Sequence, residues 1–160
     1  MRILLAIDGS PCSDAAVNEL ATRPWPASSE IRIVSAFEVP LAPTPQAWAI
    51  SSEFFDQMER VAREQAQAVV NAAATKVVAQ VHRTIIVTTG VIIGSPRSAI
   101  LEESENWKAD LIIVGSHGYS PWQRFLLGSV SQAVVSHAKC SVEVVRCSEA
   151  KASGEAVRAA

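Results

Sequence analysis

Residues 2–11 read Arg2-Ile3-Leu4-Leu5-Ala6-Ile7-Asp8-Gly9-Ser10-Pro11. The run 2–7 is short and almost wholly apolar, which predicts a strand buried on both faces. An acid and a glycine end it. Ser10 and Pro11 then supply the side-chain cap and the first position of a helix. Asp14 in the first turn suits the helix dipole. Ala16, Val17, Leu20 and Ala21 recur at helical spacing to about Arg23, where Pro24-Trp25-Pro26 stops the helix.

The same alternation extends along the chain. Residues 31–39 predict a second strand, and Pro40, Pro43 and Pro45 an irregular connection. A long helix is predicted from Ser52 to about Gln80. Phe54, Phe55, Met58, Val61, Ala62, Val69, Val70, Ala73 and Val77 fall on its inward face, opposite Glu53, Gln57, Glu64, Gln67, Asn71 and Lys76. Residues 84–93 predict a third strand, with Gly90 marking an irregularity. Gly94-Ser95-Pro96 repeats the strand-to-helix turn, and the helix at about 97–107 turns Ile100, Leu101, Ser104 and Trp107 inward. A fourth strand (110–114), a helix (about 129–138, with Val130, Ala133, Val134 and His137 on one side) and a fifth strand (141–146) complete the series. Five strands alternating with four helices predict an α/β fold: a doubly wound parallel sheet with helices on both faces. Residues 1–147 read as one domain without internal repeats, and the tail 148–160, which lacks an apolar period, is expected to be mobile.

Composition agrees with a single globular domain. The 160 residues are 49% hydrophobic and 19% charged, with 14 Lys+Arg against 16 Asp+Glu and a net charge of −2. A near-neutral balance argues against a nucleic-acid partner, which calls for a basic face. The first apolar run is too short for a secretory leader, and no run approaches the ~18 residues that span a bilayer. No membrane partner and a cytoplasmic location are therefore expected. Cys12, Cys140 and Cys147 are few and far apart, which suits reduced thiols better than a disulfide framework.

In a doubly wound sheet, ligands bind beyond the carboxyl ends of the strands, at the point where strand order reverses. Asp8 ends the first strand. It can accept hydrogen bonds from a ribose or hold a metal through water, or it can simply cap the turn. The fourth strand runs into Gly115-Ser116-His117-Gly118, and Gly128-Ser129-Val130-Ser131 opens the last helix. The spacing Gly-x2-Gly-x9-Gly-Ser suits phosphate: glycines admit it to backbone N–H groups, and Ser129 adds a hydroxyl and an amide at a helix N-terminus. Two ordinary glycine turns would look the same. His117, inside this loop, is the one histidine placed to touch phosphate; His82 reads as exposed and His137 as a helix-end cation. Cys12 reads as packing, with a reactive thiol as the alternative. The P-loop Gly-Lys-Ser/Thr, the dinucleotide glycine fingerprint, Cys-x-x-Cys and a nucleophile elbow after the first strand are all absent, as is the acid cluster of receiver domains.

Ile3 to Ser10, Ala109 to Gly118 and Leu127-Gly128-Ser129-Val130-Ser131 together resemble the universal stress proteins, in particular their nucleotide-binding branch with the Gly-x2-Gly-x9-Gly-Ser/Thr signature. The resemblance covers 1–147. It implies the strand order 3-2-1-4-5, a Rossmann-like three-layer sandwich, and an adenine-nucleotide site. ATP, or AMP or ADP, is the implied ligand, and Mg²⁺ or Mn²⁺ can accompany it because phosphates supply hard oxygen ligands. By the resemblance Asp8 contacts the ribose or a phosphate-bound metal and the backbone at Ala36 faces the adenine. Gly115, Gly118, Gly128, Ser129 and Val130 hold ribose and phosphates, with Ser116 and His117 in the same loop. No protein metal site and no catalytic set are expected. The implied function is a stress-response or signalling module that binds adenine nucleotide. The alternative is a slow ATP hydrolase or phosphotransfer enzyme, with Asp8 as base and Arg124 as clamp. The resemblance also implies a homodimer paired through the fifth strand. Lys139-Cys140-Ser141-Val142 stands where the family often has Pro-Cys-Pro-Val, and Glu143 places a charge in that strand. Glu143 is expected at the dimer rim or paired with Lys139 or Arg146 of the other chain.

Overall fold

The computed structural model describes residues 1–38, 52–118 and 127–147. The elements follow in the order β1 (Arg2–Ala6), α1 (Pro11–Thr22), β2 (Glu30–Phe37), α2 (Ser52–Val78), β3 (Ile86–Ile93), α3 (Pro96–Asn106), β4 (Leu111–Gly115), α4 (Ser129–His137) and β5 (Ser141–Val145). They form one parallel sheet in the order β3-β2-β1-β4-β5. β1 lies at the centre, with Ile3 in register with Ile31 on one side and Leu111 on the other. The expected mobile tail, 148–160, lies outside the described residues.

β1 shows why its sequence is apolar from Ile3 onward. Ile3, Leu5 and Ile7 face α1 and α2, where they meet Val17, Leu20, Val70 and Val77. Leu4 and Ala6 face the other layer, with Ile100 of α3 and Val134 of α4. Ile3, Leu4 and Leu5 have no accessible surface; each such side chain contributes about 1.5–3 kcal/mol of burial free energy. A strand packed on both faces has no position left for a polar residue. Among the described residues, no helix is long and apolar enough to cross a membrane.

Three local expectations change. The inward face read for α2 is buried only in its C-terminal half, through Ala66, Val70, Ala73 and Val77, whereas Phe54 and Val61 are 51% and 44% exposed. Twenty-seven residues make a helix about 40 Å long, while the eight-residue strand beside it spans about 26 Å, so the first turns run past the sheet. Gly90 marks no irregularity: β3 keeps unbroken register with β2 through Gly90 opposite Val34. A Cβ at Gly90 would lie 3.2 Å from the Arg32 guanidinium, which uses that space on its way to an ion pair with Glu103. On α4, His137 is exposed and Ser131 takes a buried place instead.

The largest correction concerns the cysteines. Cys140 is free, but Cys12 and Cys147 are joined as a disulfide, their Cα atoms 4.6 Å apart. They are 135 residues apart in sequence, so no local spacing announces the pair. Parallel winding brings the chain leaving β5 to the first turn of α1. Glu143 also finds its partner within the chain. Arg23, just past α1, holds its two carboxylate oxygens at 2.6 and 2.8 Å and stacks its guanidinium 5.0 Å from the Trp25 ring centre. Lys139 pairs with Glu105 at 2.7 Å.

Candidate functional site

The turn after β1 forms the first wall of the site. Gly9 takes φ +83°, a conformation that favours glycine, and lets the chain double back into α1. Asp8 Oδ1 accepts the Ser10 backbone N–H at 2.9 Å, so Asp8 does stabilise the turn, yet its carboxylate stays exposed at the strand end. Ser10 caps α1 by accepting the Ser13 N–H at 3.3 Å and donates its own hydroxyl to the His117 carbonyl at 3.2 Å. One buried hydroxyl thus links the β1 and β4 turns.

The chain leaving β4 forms the second wall, and its glycines are sites of close approach. A Cβ on Gly115 would sit 2.7 Å from the Cys12 carbonyl carbon and 2.8 Å from the Ser13 nitrogen; on Gly118, 2.7 Å from Asp8 Oδ2; on Gly128, 3.2 Å from His117 Cα and from the Ser116 carbonyl oxygen. None of the three takes a positive φ. Their requirement is steric, set by neighbouring protein atoms. The Ser116 carbonyl collects the Gly128 N–H at 2.8 Å and the Ser131 hydroxyl at 2.9 Å, which seats the start of α4 against the loop. No side chain caps that helix start. Its first N–H groups are the donors that a helix end leaves for an anion.

Between these walls lies a cavity of about 580 Å³. Of the residues singled out in the sequence, Asp8, Ala36, Gly115, His117, Gly118, Gly128, Ser129 and Val130 line it together. Ser116 does not: it is 3% exposed and donates its hydroxyl to Cys12 Sγ at 3.7 Å, behind the wall. Ala6, Ala36, Pro96, Ile100, Val114 and Val130 give the lining its apolar part, and Asp8, His117, Ser129, Ser131 and Gln132 its polar part. The His117 ring meets the Ser116 hydroxyl through Nδ1 at 3.2 Å, while its Nε2 is buried without a hydrogen-bond partner among the described residues. A buried, unmatched polar atom on a cavity wall is a place for a ligand atom.

Sequence reasoning missed Pro96, Ile100, Ser131 and Gln132. Ser131 stood within the quoted motif and Pro96 in a strand-to-helix turn. Ile100 and Gln132 carry no local signal, because their place at the cavity is set by how α3 and α4 dock. Among the described residues no three His, Cys, Asp or Glu side chains converge as metal ligands. Arg124 lies outside the described residues.

Comparison with known proteins gives one answer. The profile described as the universal stress protein family matches residues 1–146. Universal stress protein A homolog 2 of Coxiella burnetii is 54% identical over 56 residues, 35% of this chain and 38% of that relative. A universal stress protein homologue of Staphylococcus aureus strain USA300 is 29% identical over 149 residues, 92% of this chain and 85% of the relative. Among solved structures, universal stress protein UspA from Lactobacillus plantarum aligns with a TM-score of 0.70 at 23% identity, over 91% of this chain and 97% of that one. An Arabidopsis thaliana family member with AMP bound aligns at 0.61 and 15%, over 93% of both chains. A universal stress protein in complex with cAMP aligns at 0.55 and 24%, over 92% and 98%. At these identities the structural likeness establishes the fold.

Proposed function

Because this chain belongs to the universal stress protein family, we propose that it binds an adenine nucleotide in the cavity between the ends of β1 and β4, as a stress-response or signalling module of the cytoplasm. One observation carries the proposal. At the strand-order reversal, a single cavity combines an apolar wall, a strand-end carboxylate, an uncapped helix start and an unmatched buried imidazole nitrogen. These are the separate requirements of a base, a ribose and a phosphate. The apolar lining residues Ala36, Pro96 and Ile100 suit the adenine ring. Asp8 suits ribose hydroxyls, and the backbone at Gly128, Ser129 and Val130 suits phosphate oxygens, with His117 Nε2 beside them. That a relative in the fold comparison carries AMP and another cAMP supports the ligand class.

Asp8 is the only carboxylate among the described cavity residues. A Mg²⁺ or Mn²⁺ ion would therefore rest chiefly on phosphate oxygens, with Asp8 as its one protein carboxylate. No described group favours the hydrolase alternative: one Asp8 oxygen already accepts the Ser10 amide, and Arg124, the clamp of that reading, lies outside the described residues.

The same family reading carries a homodimer paired through β5. Among the described residues this strand has β4 as its single neighbour. The Ser141 N–H and the Val145 carbonyl point toward the β4 side, meeting Asp110 and Ser116. By alternation the backbone groups of Val142 and Val144 face the open edge.

Calorimetric titration of the purified chain with ATP, ADP, AMP and cAMP, alongside mass spectrometry of any nucleotide released on denaturation, tests the ligand. Saturable binding of at least one nucleotide, lost in Ser129→Pro and weakened in Asp8→Ala, is expected. No heat from any of the four would overturn the proposal.

A further inference from the structure

We propose that Cys12 and Cys147 are a reversible thiol–disulfide couple that sets nucleotide affinity at the cavity, an inference that rests on the nucleotide reading for its ligand. The couple is asymmetric. Cys12, the second residue of α1, is 4% exposed, and Cys147, beyond β5, is exposed. A pair with one accessible and one sheltered sulfur has an entry point and a resolving partner. Their Cα separation of 4.6 Å lies within the range that a disulfide spans without moving the backbone. No other disulfide accompanies it among the described residues. An isolated pair of this kind, where the compartment is reducing, is transient and regulatory in character.

What couples the pair to the cavity is Ser116. Its hydroxyl donates to Cys12 Sγ at 3.7 Å, and its N–H donates to the carbonyl of Val145, two residues before Cys147, at 2.8 Å. Its carbonyl holds Gly128 and Ser131, and its hydroxyl also meets His117 Nδ1 at 3.2 Å. Both arms of the disulfide therefore end on the residue that seats the phosphate-side wall. Closing the bond ties the end of β5 to α1 across this residue. It removes freedom that nucleotide binding would otherwise have to quench, so the oxidised form binds more tightly.

The oxidant is a hydroperoxide. The Cys147 thiolate attacks the outer peroxide oxygen, the O–O bond breaks, the alcohol leaves with one thiol proton, and Cys147 becomes a sulfenic acid. The Cys12 sulfur then attacks the Cys147 sulfur, the S–O bond breaks, and water leaves with the second thiol proton. Two electrons pass from the two sulfurs to the peroxide, which is reduced to alcohol and water. A dithiol reverses the bond by two exchange steps.

The test uses the full chain, treated with hydrogen peroxide or with dithiothreitol. Peptide mapping after alkylation reads the bond, and titration with ATP and AMP reads affinity. A Cys12–Cys147 cross-linked peptide that dithiothreitol removes is expected, with about five- to tenfold tighter nucleotide binding when oxidised. Cys147→Ser, at an exposed position outside the cavity wall, should bind alike under both treatments. Free thiols at both positions after peroxide would overturn the couple. A formed bond with equal affinity in both states would overturn its control of the site while leaving the nucleotide proposal standing. Absence of nucleotide binding in both states would remove the nucleotide reading and the control together, and the peptide map would still decide the couple.

Discussion

Gly118 and Asp8 meet so closely that a Cβ on the glycine would stand 2.7 Å from the carboxylate oxygen Oδ2. The acid at the end of β1 and the glycine beyond β4 thus share one contact across the cavity mouth, although 110 residues separate them. The three signature glycines differ in what they approach, and their substitutions should differ accordingly. Gly115→Ala drives a methyl group into the backbone of Cys12 and Ser13, which cannot swing aside, and should cost about 1–3 kcal/mol of stability. Gly118→Ala meets only an exposed side chain that can rotate, so the fold should hold while nucleotide affinity falls. Chemical denaturation and calorimetry on both variants check this. Equal stability losses would contradict it.

The ion pair between Arg23 and Glu143 should fasten α1 to β5. Its hydrogen bonds to Glu143, then to Glu19, raise the Arg23 pKa further above its already high ordinary value, so the pair keeps its cation throughout the working pH range. Both side chains are partly exposed, at 34% and 27%, which limits the gain through solvent screening. Glu143→Gln should lower stability by about 1 kcal/mol, and the loss should shrink in high salt. A urea titration at two ionic strengths measures both effects.

Pairing through the β5 edge should tolerate Glu143, because that carboxylate is turned toward α1 and already matched. Val144→Pro removes an N–H that faces the open edge and breaks no bond to β4. Sedimentation at micromolar concentration should find a wild-type dimer and a folded Val144→Pro monomer. A monomeric wild type would end the idea.

Cys140 offers a pH dependence. Burial, above all, raises its thiol pKa above the ordinary value. The folded state keeps the thiol proton at pH values where the unfolded chain has released it. The contribution to stability is therefore fully present below the ordinary thiol pKa and is lost as pH rises from there through the raised folded value. Reduced chain in mildly alkaline buffer should alkylate at Cys140 more slowly than an unfolded control, and Cys140→Ala should flatten the fall in stability on the alkaline side.

The legible part of this molecule was the part written in local pattern. Arg2 to Pro11 announced a two-sided strand, a turn and a capped helix, because each of those demands specific residue types within a few positions. The same grammar located the nine elements of the described residues to within a few positions. Asp8, Gly118 and Ser129 were found as strand-end and helix-start features, and the fold brought them to one cavity. The outer turns of α2 misled because a periodic apolar face says which side is greasy without saying how far the partner sheet extends. Phe54 and Val61 fit the period and are exposed.

Element order, the buried central strand and the glycine motif were determined by the sequence itself, since hydrophobic period and turn chemistry act between neighbours along the chain. The tertiary structure alone decided the rest. It brought Cys12 to Cys147, gave Glu143 to Arg23, and turned Ser116 away from the cavity to stand between the disulfide and His117. Each of these contacts joins residues more than 100 positions apart or depends on such a contact. Their distances follow from how right-handed crossovers stack helices on the sheet, a geometry that no local stretch of the chain encodes.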